Sequence, residues 1–136
     1  MAALMTINIF NEFRTSHLLD RGSMMSGVCD RILAQDGRIG FAMVVDEKGQ
    51  IVESKMRGTP LMPKEDIAAF AGVWTSVMGG VARQMQKYLG TNFGVSIYYD
   101  KLNIHGFPVG NNAVVIAARK DLPFETILSL EKTAEA

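Results

Sequence analysis

Chemistry needs nucleophiles, acids, bases or metal ligands at workable spacings, and this chain offers few. Its two histidines, His17 and His105, lie far apart and in no metal-ligand spacing. His105 falls in a strand-like run, where it reads as a surface or edge residue. Asp46 and Glu47 are adjacent, but Asp46-Glu47-Lys48-Gly49 is the sequence of a hairpin turn, whose acids are normally solvated. Gly79-Gly80 lacks the Gly-Lys-Ser/Thr of a phosphate loop and lies inside a helical pattern, not ahead of one. Cys29, the single cysteine, shares a helical face with Met25, Val28 and Ile32, which makes it a small core hydrophobe. The scattered Ser and Thr have no base in an evident motif. The sequence therefore predicts no catalytic residue, no metal site and no cofactor.

The bulk properties exclude other classes. The 14 basic and 14 acidic residues cancel, which removes the electrostatic argument for nucleic acid or an anionic membrane as partner. No apolar run approaches the ~20 residues of a membrane span, and the opening residues lack a basic n-region, so no membrane insertion or signal peptide is expected. A lone cysteine fits a reducing compartment, and the chain reads as cytoplasmic. Its 136 residues suffice for a single core.

The elements are organised around the stretch Lys64–Gly90. It follows Pro63, opens with Glu65 and Asp66, and stops at Gly90, which predicts one helix of about 40 Å at ~1.5 Å per residue. Ile67, Phe70, Ala71, Trp74, Val77, Met78, Val81, Met85 and Tyr88 form one apolar stripe. Opposite it lie Ala69, Gly72, Ser76, Gly79, Gly80 and Arg83, small residues with a single charge. Two readings apply to them: a kink at Gly79-Gly80, or a face that admits a second helix closely. The run of small residues over several turns favours close packing.

Before this helix, residues 7–20 predict a short helix with Ile9, Phe10, Phe13 and Leu18 on its apolar side. Arg21-Gly22-Ser23 interrupts it and also resembles a joining sequence, so residues 1–23 read as an extension and 24–136 as one domain. Ser23 is a candidate N-cap for a helix to about Gln35. Ile39–Val45 has no polar side chain and reads as a central strand buried on both faces. Gln50–Arg57 alternates as a strand near an edge, Val52, Ser54 and Met56 on one side, Ile51, Glu53 and Lys55 on the other. After Gly90 come strands at Phe93–Tyr99, Leu102–Val109 and Ala113–Ala118, the last again apolar throughout, and a helix that starts at Pro123. Two doubly buried strands require cover on both sheet faces. The expected fold is α+β with three layers. A five-stranded antiparallel sheet in the order 2-1-5-4-3 carries the long helix on one face and shorter helices on the other.

This order of elements resembles the roadblock / dynein light chain family over residues 24–132. The resemblance is carried by the helix before Ile39 and the strand running into Val44-Val45-Asp46-Glu47-Lys48-Gly49. Ile67-Ala68-Ala69-Phe70-Ala71 and Val114-Val115-Ile116-Ala117 complete it. The chain departs from the family in residues 1–23, in the Pro60–Pro63 loop and at Gly79-Gly80. The resemblance implies a non-enzymatic scaffold that pairs long helices and third strands into a dimer. That makes Ala69, Gly72, Ser76, Gly79, Gly80 and Arg83, with Ser96 and Tyr98, the expected homodimer interface. It also implies a regulator or platform for a small Ras-like GTPase, with Gln84, Gln86 and Lys87 as candidate partner contacts. The alternative is a small-molecule sensor of PAS, GAF or profilin-like type, which would place converging polar groups in a pocket between sheet and helix. The apolar core side of the long helix favours the scaffold.

Overall fold

The structure, a computed structural model, describes residues 27–58 and 62–135. The expected helix over 7–20 and the expected cap at Ser23 lie outside them. The elements in chain order are α1 (Val28–Gln35), β1 (Ile39–Val45), β2 (Ile51–Met56), α2 (Lys64–Gly79), α3 (Val81–Gln84), α4 (Gln86–Leu89), β3 (Val95–Tyr98), β4 (Asn103–Val109), β5 (Asn112–Ala118) and α5 (Phe124–Glu135). The strands form one antiparallel sheet in the order β2-β1-β5-β4-β3.

The apolar runs of β1 and β5 are central, as their composition requires. Alternate side chains feed two separate cores. Ile39, Ala42 and Val44 with Val114, Ile116 and Ala118 pack under α1 and α5. Phe41, Met43 and Val45 with Ala113, Val115 and Ala117 pack under α2. Trp74, 1% exposed, is the largest side chain of the second core, and Phe70 meets it edge-on with ring centroids 6.2 Å apart. Gly106 on β4 makes room for it, since a Cβ there would lie 2.5 Å from the indole ring.

Two sequence expectations are corrected. The first is the phase of β2. The register shifts between Val44 and Val45, where Glu53 and Ile51 are their respective partners, so one extra residue is accommodated at Val52. Val52 consequently joins the α1-side core and Ile51 the α2-side core. Glu53 lies on the α1 side, buried, where its carboxylate accepts hydrogen bonds from the backbone N–H groups of Gly27 and Cys29, both at 3.1 Å. An acid at a helix N-terminus complements the unpaired N–H groups and the helix dipole.

The second is the long helix, which does not run unbroken to Gly90. It stops at Gly79, and Gly80 adopts φ −88°, ψ −104° while its N–H donates to Ser76 O at 2.8 Å. Just before the break, Thr75 and Ser76 hydroxyls donate back to Ala71 O (3.1 Å) and Gly72 O (3.2 Å), a pattern that bends helices. Two one-turn helices follow, α3 and α4, and Gly90 at φ 92° ends the segment. The apolar stripe loses its cover at the same point. Ile67, Ala71, Trp74 and Met78 are buried, whereas Met85 and Tyr88 are 42% and 72% exposed.

Candidate interaction surface

β3 is one of the two edge strands, four residues long, and among the described residues it pairs with β4 alone. Among the described residues, its outer edge therefore presents unpaired backbone N–H and C=O groups. Val95 and Ile97 turn inward to the α2 core, and Ser96 and Tyr98 turn to the opposite face. Tyr98 (72%) on this strand and Phe93 (63%) just ahead of it are exposed, as are Leu89 (77%) and Tyr88 (72%) on α4. Lys87 Nζ lies 5.0 Å from the centroid of the Tyr88 ring.

On α2, Ala69, Ser76 and Gly79 are exposed and Gly72 is half-buried, all on the side away from the sheet. The three glycines have different roles. Side chains added at Gly72 or Gly79 would meet open space. One added at Gly80 would collide with Ser76 O at 2.5 Å, so Gly80 is required by the helix break itself. The β1–β2 turn also comes close at this helix, where Thr75 Oγ1 lies 3.5 Å from Asp46 O.

The break opens one end of the molecule into a cleft of about 750 Å³ between the two hairpin turns and the helical segments. Ser76, Gly79, Gly80, Arg83 and Gln86 all line it, together with Asp46 and Asn92. Asp46 Oδ1 is occupied by the N–H groups of Lys48 (2.9 Å) and Gln50 (3.0 Å), which is turn chemistry. Gln86 Oε1 accepts from Asn92 N–H at 2.9 Å and so organises the loop into β3, while Gln84 and Lys87 are exposed. Arg83 thus shares a surface with the small residues of α2, whereas Ser96 and Tyr98 occupy the other face of the sheet.

His105 is buried, 3% exposed, not a surface residue as its strand position suggested. Its Nδ1 lies 2.6 Å from Ser96 Oγ, and burial pushes its pKa below the ordinary value. The expected edge position holds only in that β4 neighbours the edge strand. Nothing in the sequence shows that α5 and β3 close over it. Among the described residues no group of three or more His, Cys, Asp or Glu is placed to hold a metal ion, and no helix is long and apolar enough to cross a membrane.

No protein-family profile and no curated protein matches the chain. Solved structures do. An MglB with a tetrameric arrangement superposes with a TM-score of 0.65 at 17% identity, covering 79% of each chain. A Roadblock/LC7 domain from Streptomyces avermitilis gives 0.62 at 10% identity, over 82% of this chain and 88% of the other. The fold is the roadblock/LC7 fold. Profilin II of Acanthamoeba castellanii shares its layout at a TM-score of 0.55 and 9% identity, over 80% of this chain and 91% of that one. The break at Gly79-Gly80 and the exposed Phe93 and Tyr98 at β3 lie within this framework.

Proposed function

We propose that the protein is a non-enzymatic scaffold that associates with a second copy through the β3 edge and the outward face of α2. The observation that carries this reading is the outer edge of β3, uncovered among the described residues, with Phe93 and Tyr98 exposed at it. Edge strands are ordinarily guarded by charge, proline or a covering element, and apolar surface of this kind marks interaction sites. The roadblock/LC7 fold supports it, as does the tetrameric arrangement of a similar MglB. The sensor alternative wants an interior pocket, and the space between α2 and the sheet near Phe41, Ile67 and Phe70 is about 10 Å³, too small for a ligand. A paired scaffold of this fold would present a two-fold platform to a further partner, and a small Ras-like GTPase is our candidate, contacting Gln84 and Lys87.

Light scattering of the full chain tests the pairing. The wild type should be dimeric, and Tyr98→Lys, which places a charge at the edge, should be monomeric while still folded. Gly79→Arg probes the α2 face, because its side chain projects into open space. A dimer that survives both substitutions removes this interface. Affinity purification in each nucleotide state tests the partner. If no GTPase is enriched in either state, the regulator reading falls and the self-associating scaffold stands.

A further inference from the structure

The buried imidazole of His105 sits directly behind the edge strand. Ser96 Oγ lies 2.6 Å from its Nδ1, and the Tyr98 ring stands edge-on to it, centroids 6.4 Å apart at 82°. Both contacts come from β3. The other ring nitrogen, Nε2, is buried with no hydrogen-bond partner among the described residues. A neutral imidazole can satisfy Ser96 through Nδ1 and leave Nε2 unpaired at modest cost. An imidazolium carries N–H donors on both nitrogens, and the one on Nε2 would find no acceptor.

The charged surroundings are sparse. Among the described residues, Glu131 on α5 is the only charged side chain lining the groove that His105 shares with β3, and it would favour the proton. Lys120, whose Nζ lies 3.0 Å from Asn103 Oδ1 two residues along β4, would oppose it. β5 presents only Ile116 opposite His105. Both contacts to the ring come from the strand whose outer edge the proposed pairing covers, so the proton and a second chain compete for one conformation of β3.

We propose that His105 gates the β3 edge: two chains pair while its imidazole is neutral, and pairing weakens when the ring is protonated. This rests on the edge-pairing reading above. The direction follows from the ring's surroundings: Nε2 is buried without an acceptor among the described residues, so an imidazolium is relieved only if β3 shifts with its Ser96 and Tyr98 contacts. A paired edge resists that shift and a free edge permits it, so the paired state would bind fewer protons than the separated one. Association is full where His105 of the separated chain is neutral, and is lost as pH falls through that chain's own pKa, which burial holds below the ordinary 6.5.

Sedimentation velocity of the full chain at pH 7.5 and 5.5 tests this, in a His17→Gln background so that His105 is the only histidine. The dimer dissociation constant should rise at the lower pH, up to a limit of about tenfold per chain for each unit by which pairing lowers the His105 pKa. His105→Asn should remove the dependence. A chain that is monomeric at pH 7.5 overturns edge pairing and the gate together. One equally dimeric at both values overturns the gate and leaves edge pairing standing, and a pH dependence that persists in His105→Asn also overturns the gate. Should that variant fail to fold, NMR titration of the His105 ring at low and high chain concentration decides the matter. A pKa lower at high concentration is the expected result, and a pKa independent of concentration overturns the proposal.

Discussion

Replacing Gly106 by Ala should test how the α2 face of the sheet is held. The added Cβ would lie 2.5 and 2.7 Å from two carbons of the Trp74 ring, against ~3.5–4.0 Å for a relaxed carbon contact, a shortfall of about 1 Å. The strand cannot withdraw, because Gly106 is paired with Val95 on one side and Val115 on the other. The indole cannot swing out easily either, since it is 1% exposed and backed by Phe70, with Ile67 and Met78 in the same cluster. Either Trp74 leaves its rotamer or α2 is pushed off the sheet. Overpacking of this kind costs ~1–3 kcal/mol, and the absence of a soft neighbour places this case near the upper end. At roughly 3–5 °C per kcal/mol for a chain of this size, the melting temperature should fall by about 10 °C. Thermal unfolding followed by circular dichroism measures the shift and urea unfolding the free energy, with fluorescence of the single tryptophan as a second probe. The decisive comparison is the double variant with Trp74→Leu. In that background Gly106→Ala should cost no more than about 0.5 kcal/mol, because the obstructing ring is gone. A Gly106→Ala protein within about 0.5 kcal/mol of wild type, or an undiminished cost beside Trp74→Leu, would refute the close approach of strand and ring.

Three other outcomes follow from single contacts. Gly80→Ala should lose about 1–3 kcal/mol in a denaturant titration through collision with Ser76 O, while Gly79→Ala should be neutral or stabilising by about 0.5 kcal/mol. Glu53→Gln should destabilise by about 1–3 kcal/mol, because the charged acceptor for Gly27 and Cys29 N–H becomes a neutral one; thermal unfolding at pH 7 would show it. The Arg38 guanidinium hydrogen-bonds Asp36 at 2.7 and 2.9 Å, and with the Arg38 N–H it lowers the Asp36 pKa from 3.8 to about 2. Its stabilising effect should therefore be present above pH 3.8 and lost as pH falls toward 2; an NMR titration of Asp36 should move back up in Arg38→Ala.

Much of the fold follows from local pattern. Ile39–Val45 and Ala113–Ala118 carry no polar side chain, so burial on both faces was legible, and with it the three layers and the strand order. Hairpin chemistry at Asp46–Gly49 was equally local, with Gly49 at φ 85°. The helix stripe was legible as far as Met78, because spacing reports which side chains share a face.

Spacing does not report whether anything lies opposite that face. Met85 and Tyr88 continue the apolar period yet are exposed, because the helix axis has turned at Gly80 and the sheet no longer lies beneath them. The sequence allowed both a kink and close packing at Gly79-Gly80. The break was decided by backbone geometry at Gly80, and Gly72 and Gly79 remain free for a neighbour. The phase of β2 was set by register: one accommodated residue at Val52 carried Glu53 to α1, a cap between positions 24 residues apart. The Ser96–His105 pair has the same origin. Nine residues separate the two, and only antiparallel pairing of β3 with β4 places hydroxyl and imidazole side by side. Local composition settles which surfaces must be buried. What buries them, and which polar groups meet in the process, depends on contacts that no stretch of this sequence contains by itself.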